Sequence, residues 1–145
     1  MKTTTIVLLA ALALAACGGS DKGDDQPTQV QGATTTAPAV PSNATVVGGN
    51  YLTMNTNGNN YLVQFNGTAN ITLPASSNNV WIARNQAVGS FYLSGSGNTV
   101  VFLPGSTAMS FDVTGANNTI YIPAGSTVVA IGGNANGNNV ITYTP

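Results

Sequence analysis

From Val46 onward, apolar residues come in pairs two positions apart, and the pairs return at a nearly constant interval. One row is Tyr61, Val80, Val100, Ile120 and Val140, and a second is Val63, Ile82, Phe102, Ile122 and Thr142. Each pair follows an asparagine, Asn59, Asn78, Asn98, Asn118 or Asn138, at spacings of 19, 20, 20 and 20. A second strand repeats in register with the first, through Leu52, Ile71, Phe91, Phe111 and Ile131, then Met54, Leu73, Leu93 and Val113. Alternation of period two predicts strands with one buried face. The gaps hold turn formers, among them Pro104-Gly105-Ser106-Thr107, Gly95-Ser96-Gly97 and Gly115-Ala116-Asn117. No 3.6-residue stripe is present, so helices are not expected.

Each unit therefore reads as strand, turn, strand, turn. The fold class expected is all-β, a short parallel β-solenoid (β-helix) of about 20-residue coils over residues 48–145. Stacked coils put the same position above itself every ~4.8 Å, which accounts for residue types recurring in rows. It also accounts for the asparagine row, since Asn tolerates left-handed corners and its amides can ladder. An antiparallel meander with Asn-Gly hairpins is the competing topology. It leaves the constant interval without a physical cause.

The N-terminal part has a different texture. Met1-Lys2 and a threonine run lead into Ile6-Val7-Leu8-Leu9-Ala10-Ala11-Leu12-Ala13. That apolar stretch has the length of a signal-peptide core and is shorter than the roughly 20 residues of a membrane span. The stretch Leu14-Ala15-Ala16-Cys17 resembles the lipobox of bacterial lipoproteins. The resemblance implies cleavage after residue 16, a diacylglyceryl group on Cys17 and acylation of its amine. It implies a cell-envelope protein held to the membrane by lipid, and Gly18 resembles the outer-membrane sorting pattern of Gram-negative hosts. Residues 17–47 read as the lipidated cysteine and a disordered, Pro-, Thr- and Ala-rich linker. Asp21, Asp24 and Asp25 lack the spacing of a calcium loop and read as solvated linker charges.

The segments Gly95-Ser96-Gly97-Asn98-Thr99-Val100 and Thr114-Gly115-Ala116-Asn117-Asn118-Thr119-Ile120 resemble a bacterial family of unknown function. That family is built on short Gly-Ser-x-Asn-Thr-Val repeats and occurs in secreted proteins and lipoproteins. The likeness covers about residues 77–142, and the coil at Asn138-Asn139-Val140 departs from it by lacking the threonine. It implies no catalytic activity.

Composition removes most chemistry. Charged residues are 5% of the 145, and after residue 25 only Arg84 and Asp112 remain. There is no basic footprint for nucleic acid. The chain has no histidine and no glutamate, and its single cysteine is Cys17. Hydroxyls thus lack a base, paired carboxylates and metal-ligand clusters are absent, and no catalytic residue, metal or cofactor is expected. Solenoid polysaccharide lyases use clustered Asp with Arg and calcium. Arg84 and Asp112 fall on different strands and read as separate surface charges.

With the Val80 and Ile82 rows inward, Leu62, Trp81, Val101, Tyr121 and Ile141 point outward, beside Ala83, Leu103, Pro123 and Tyr143. This apolar, partly aromatic stripe is a candidate face for a glycan or protein ligand. The competing reading is that the linker or a second copy covers it, or that the strand is buried on both sides. A threonine lattice for ice is not supported, because the candidate rows mix Asn, Thr, Tyr and Asp. Finally, a short solenoid has strand edges at both ends, so end-to-end self-association is expected unless residues 43–50 cap one end and Pro145 the other.

Overall fold

Coils stacked in parallel register are what the computed structural model shows, over the residues it describes: 28–30, 36–128, 131–133 and 136–145. The expected signal peptide, Cys17 and part of the expected linker lie outside them. All strand pairs are parallel, and no helix occurs among the described residues. The chain is a β-solenoid. One wall is a seven-stranded sheet holding β2 (Thr45–Val47), β4 (Asn60–Val63), β6 (Asn79–Ile82), β8 (Thr99–Phe102), β11 (Thr119–Pro123) and β13 (Asn139–Tyr143). Its seventh strand is β1 (Thr28–Val30), paired with β13. The facing wall holds β3 (Tyr51–Thr53), β5 (Thr68–Leu73), β7 (Ala87–Leu93), β10 (Phe111–Val113) and β12 (Ile131–Gly133).

Every coil after the first also has a short third side. Ala69 pairs with Val88, Val88 with Ala108 in β9 (Thr107–Ala108), and Ala108 with Val128. The one short interval in the asparagine row has its explanation here. Thr68 and Ala69 pair with Ala87 and Val88, whereas Asn70 pairs with Ser90, and the register shifts between them. Gly89 is the extra residue, a β-bulge that restores the regular repeat.

The core lies between the walls. Val80, Val100, Ile120 and Val140 are buried, as are Val63, Ile82 and Phe102. Phe102 packs against Phe91 and Phe111 of the opposite wall, with ring centroids 6.5 and 5.8 Å away, while Phe91 and Phe111 stack at 4.8 Å. The expected inward rows weaken toward the ends: Tyr61 and Ile122 are half-buried and Thr142 is exposed. Fewer coils remain there to cover them.

The asparagines hold one corner. Asn98 Oδ1 accepts from the Asn78 backbone N–H (2.9 Å), Asn118 Oδ1 from Asn98 N–H (2.8 Å) and Asn138 Oδ1 from Asn118 N–H (2.8 Å). Each Nδ2 reaches back to a carbonyl of the preceding coil: Asn98 to Ala75, Asn118 to Gly95 and Asn138 to Gly115. Asn59 enters only as a donor, its N–H bonding Asn78 Oδ1 at 2.9 Å. Beside the shortened coil, the buried Asn78 Nδ2 has no partner.

The left-handed corner expected of these asparagines falls one residue earlier, on Gly58, Ser77, Gly97, Asn117 and Gly137, with φ between 57° and 72°. The carbonyls that the asparagines bond crowd the glycine above. A Cβ on Gly95 would overlap the Ala75 carbonyl, and one on Gly115 the Gly95 carbonyl.

Asn118→Ala would strand the Asn98 N–H and the Gly95 carbonyl, both buried. The expected loss is about 3 kcal/mol in urea unfolding. Asn139→Ala, at the exposed neighbouring position, should stay within about 0.5 kcal/mol.

Candidate functional site

The outward stripe exists as one column. Register pairs Val46 with Leu62, Leu62 with Trp81, Trp81 with Val101, Val101 with Tyr121 and Tyr121 with Ile141. It is not an open face. Trp81 is 3% exposed and Val101 0%, while Leu62, Tyr121 and Ile141 are half-buried. The cover is the chain's own N-terminal segment. Trp81 Nε1 donates to the Pro38 carbonyl at 2.8 Å. Thr36, Ala37, Pro38 and Ala39 share a cleft of about 160 Å³ with Arg84, Leu103, Pro104 and Tyr143.

This selects between the two sequence readings of the stripe and corrects the linker boundary. The stripe offered as a candidate glycan or protein face is covered at Trp81 by residues of the same chain, which was the competing reading. The segment assigned to a disordered linker up to residue 47 is, at Thr28–Val30 and from Thr36 on, part of the folded unit. It starts on the last coil, where β1 lies against β13, and passes Leu103 and Trp81. It then reaches Asn43, whose Oδ1 accepts from Asn60 Nδ2, and enters the first coil as β2. It is a strap running against the direction of coil stacking. The one clue in the sequence is Pro38-Ala39-Val40-Pro41, whose proline spacing favours extended chain.

Tyr143 is also inside. It is 5% exposed, and its hydroxyl donates to the Phe102 carbonyl at 2.8 Å. Burial pushes its phenol above the usual tyrosine range, and the Arg84 charge offsets part of that rise.

The two charges of the repeat region stay apart, as expected. Arg84 follows β6 on the seven-stranded sheet, and Asp112 sits in the middle of β10 on the facing one. Among the described residues no three His, Cys, Asp or Glu side chains approach as a metal cluster. No helix there is long and apolar enough to cross a membrane. A second shallow groove, about 210 Å³, runs between the turns Pro104–Thr107 and Pro123–Thr127 and offers only hydroxyl and backbone groups. The facing sheet is polar outside and carries two aromatics, Tyr51 at 85% exposure and Tyr92 at 41%, of which sequence reasoning passed over Tyr51. Tyr51 pairs in register with Asn70, and Tyr92 with Thr72 and Asp112.

No protein-family model, no curated protein and no solved structure matches the chain.

Two measurements check this arrangement. Trp81, the single tryptophan, should emit at short wavelength and resist iodide quenching in the monomer, and replacing residues 36–41 by Gly-Ser repeats should shift its emission to the red. The raised Tyr143 pKa means that the folded state holds the phenolic proton more tightly than the unfolded chain. Its contribution to stability is therefore full below pH 10 and lost as pH rises through the folded value. Tyr143→Phe should flatten that alkaline decline in a pH series of urea midpoints.

Proposed function

We propose that the chain is an envelope lipoprotein, anchored through lipid on Cys17, whose solenoid serves as a non-catalytic structural or display unit. The observation that carries this reading is the Leu14-Ala15-Ala16-Cys17 stretch placed directly after an apolar signal-length segment. The strap supports it. It brings the chain from the anchor side onto the last coil, so ten residues separate Cys17 from Thr28 in β1. Eleven peptide steps at full extension reach at most about 40 Å. The solenoid is thus held near the surface that carries the anchor. Diacyl anchoring at about 0.8 kcal/mol per buried CH₂ would make that attachment durable.

A non-catalytic role agrees with a repeat region whose only charges are Arg84, in the turn after β6, and Asp112, on the facing wall. It also agrees with a stripe whose centre, Trp81 and Val101, is buried within the same chain. In a Gram-negative host, Gly18 favours the outer membrane. The reading of the Trp81 stripe as a ligand face is not carried forward, because Trp81 is buried and bonded to Pro38 of the same chain.

The test is incorporation of an alkyne-tagged fatty acid in a bacterial host, together with flotation of the product on lipid vesicles. The unaltered chain should take up label and float. Cys17→Ser should take up none and remain with soluble protein. A labelled serine variant, or an unlabelled parent processed at another site, would overturn the reading.

A further inference from the structure

The two ends of the solenoid are finished differently. At the last coil, the outermost strands are β12 and β1, the latter added to the seven-stranded sheet from the N-terminal segment. At the first coil, β2 and β3 are the outermost strands of both walls, and among the described residues each is paired on one side only. Val47 O accepts from Gln64 N, so by strand alternation the N–H and C=O of Val46 face the open side. In β3, Asn50 O and Met54 N bond the next coil, which turns the backbone groups of Tyr51 and Thr53 to the open side.

Among the described residues the end is unlidded as well as unpaired. Val47 and Leu52 pack against the core yet stay half-exposed, and Val46 and Tyr51 are 63% and 85% exposed. Proteins usually protect such edges with lysine, proline or a covering loop. Here no charged residue and no proline occurs from Ser42 to Leu73.

We propose that this end is an interaction surface for a second copy of the chain, joined head to head. A two-fold axis normal to both walls brings β2 against β2 of the partner and β3 against β3, both antiparallel. One operation therefore completes both open edges. The contact is isologous and closes at two, because the first coil of each copy is used up by the first coil of the other. It is also weak. A coil of at most about 66 Å perimeter encloses no more than about 350 Å². That is well below the roughly 800 Å² per partner of a standard stable interface.

The experiment is light scattering with absorbance and refractive-index detection on the purified full chain, so that bound lipid or detergent is subtracted, over a concentration series to about millimolar. The mass should rise with concentration to twice that of one chain and stop there. Val46→Pro removes the open-side N–H and leaves the bonds of Val47 to β4. It should raise the concentration of half-association by at least about tenfold. Val46→Lys, which alters only an exposed side chain, should act in the same direction, with Trp81 emission reporting that the fold persists. A mass of one chain throughout, growth beyond two, or association unchanged in both variants would overturn the proposal. None of these outcomes depends on whether Cys17 carries lipid.

Discussion

Everything in this molecule depends on one corner, where in three successive coils a buried asparagine amide, of Asn98, Asn118 and Asn138, serves the backbone of the coil before it. The amide oxygen takes the N–H of the preceding asparagine, and the amide nitrogen returns to a carbonyl slightly upstream of that asparagine. Those carbonyls reach inward because the residue stacked on them is glycine, with no Cβ in the way. The residue before each asparagine turns left-handed, which sends the chain into the next strand. Asparagine, glycine and positive φ are thus one device, and changing any of them leaves buried polar groups without partners.

The corner explains why so much of the fold could be read from the chain. A solenoid puts each position against itself, so whatever a corner needs in one coil it needs again in the next. The asparagine row and the two apolar rows therefore carried the strand positions, the parallel stacking and the inward face. The parts that escaped reading lack such repetition. The third side takes up too little of each coil for alternation to register. The bulge at Gly89 looked like a short first interval until the pairing of Asn70 with Ser90 located it. The left-handed position was misplaced by one because Ser77 and Asn117 stand where Gly97 and Gly137 do.

The strap escaped for a different reason. It bonds through main-chain groups: strand pairing at Thr28–Val30 and the Pro38 carbonyl that receives the indole N–H of Trp81. Composition says nothing about either, and a segment rich in Pro, Thr and Ala reads as linker whether or not it has somewhere to lie. What the sequence did record was the other half of the contact. An outward column of Leu, Trp, Val and Tyr on an otherwise polar solenoid has to be covered, and length alone cannot say whether a ligand or the chain itself covers it.

The scarcity of charge follows from the same stacking. Two like charges about 4.8 Å apart in successive coils repel by roughly 1 kcal/mol in water and several times that at a protein surface. A repeated charge would incur this cost at every interface. The two that survive avoid it: Asp112 stacks between Tyr92 and Gly132, and Arg84 lies beside Pro104. Asn, Ser and Thr supply polarity without the penalty, because a column of them can donate and accept in turn. Ser96 N–H bonds Ser76 Oγ, Ala116 N–H bonds Ser96 Oγ, and Ser90 Oγ bonds Asn70 Oδ1. Low charge is therefore first a condition of stacking in register. Clustered carboxylates or basic groups would have to arise where the repeat is broken, at its ends or in the strap, and it is there that function in such a scaffold has room to develop.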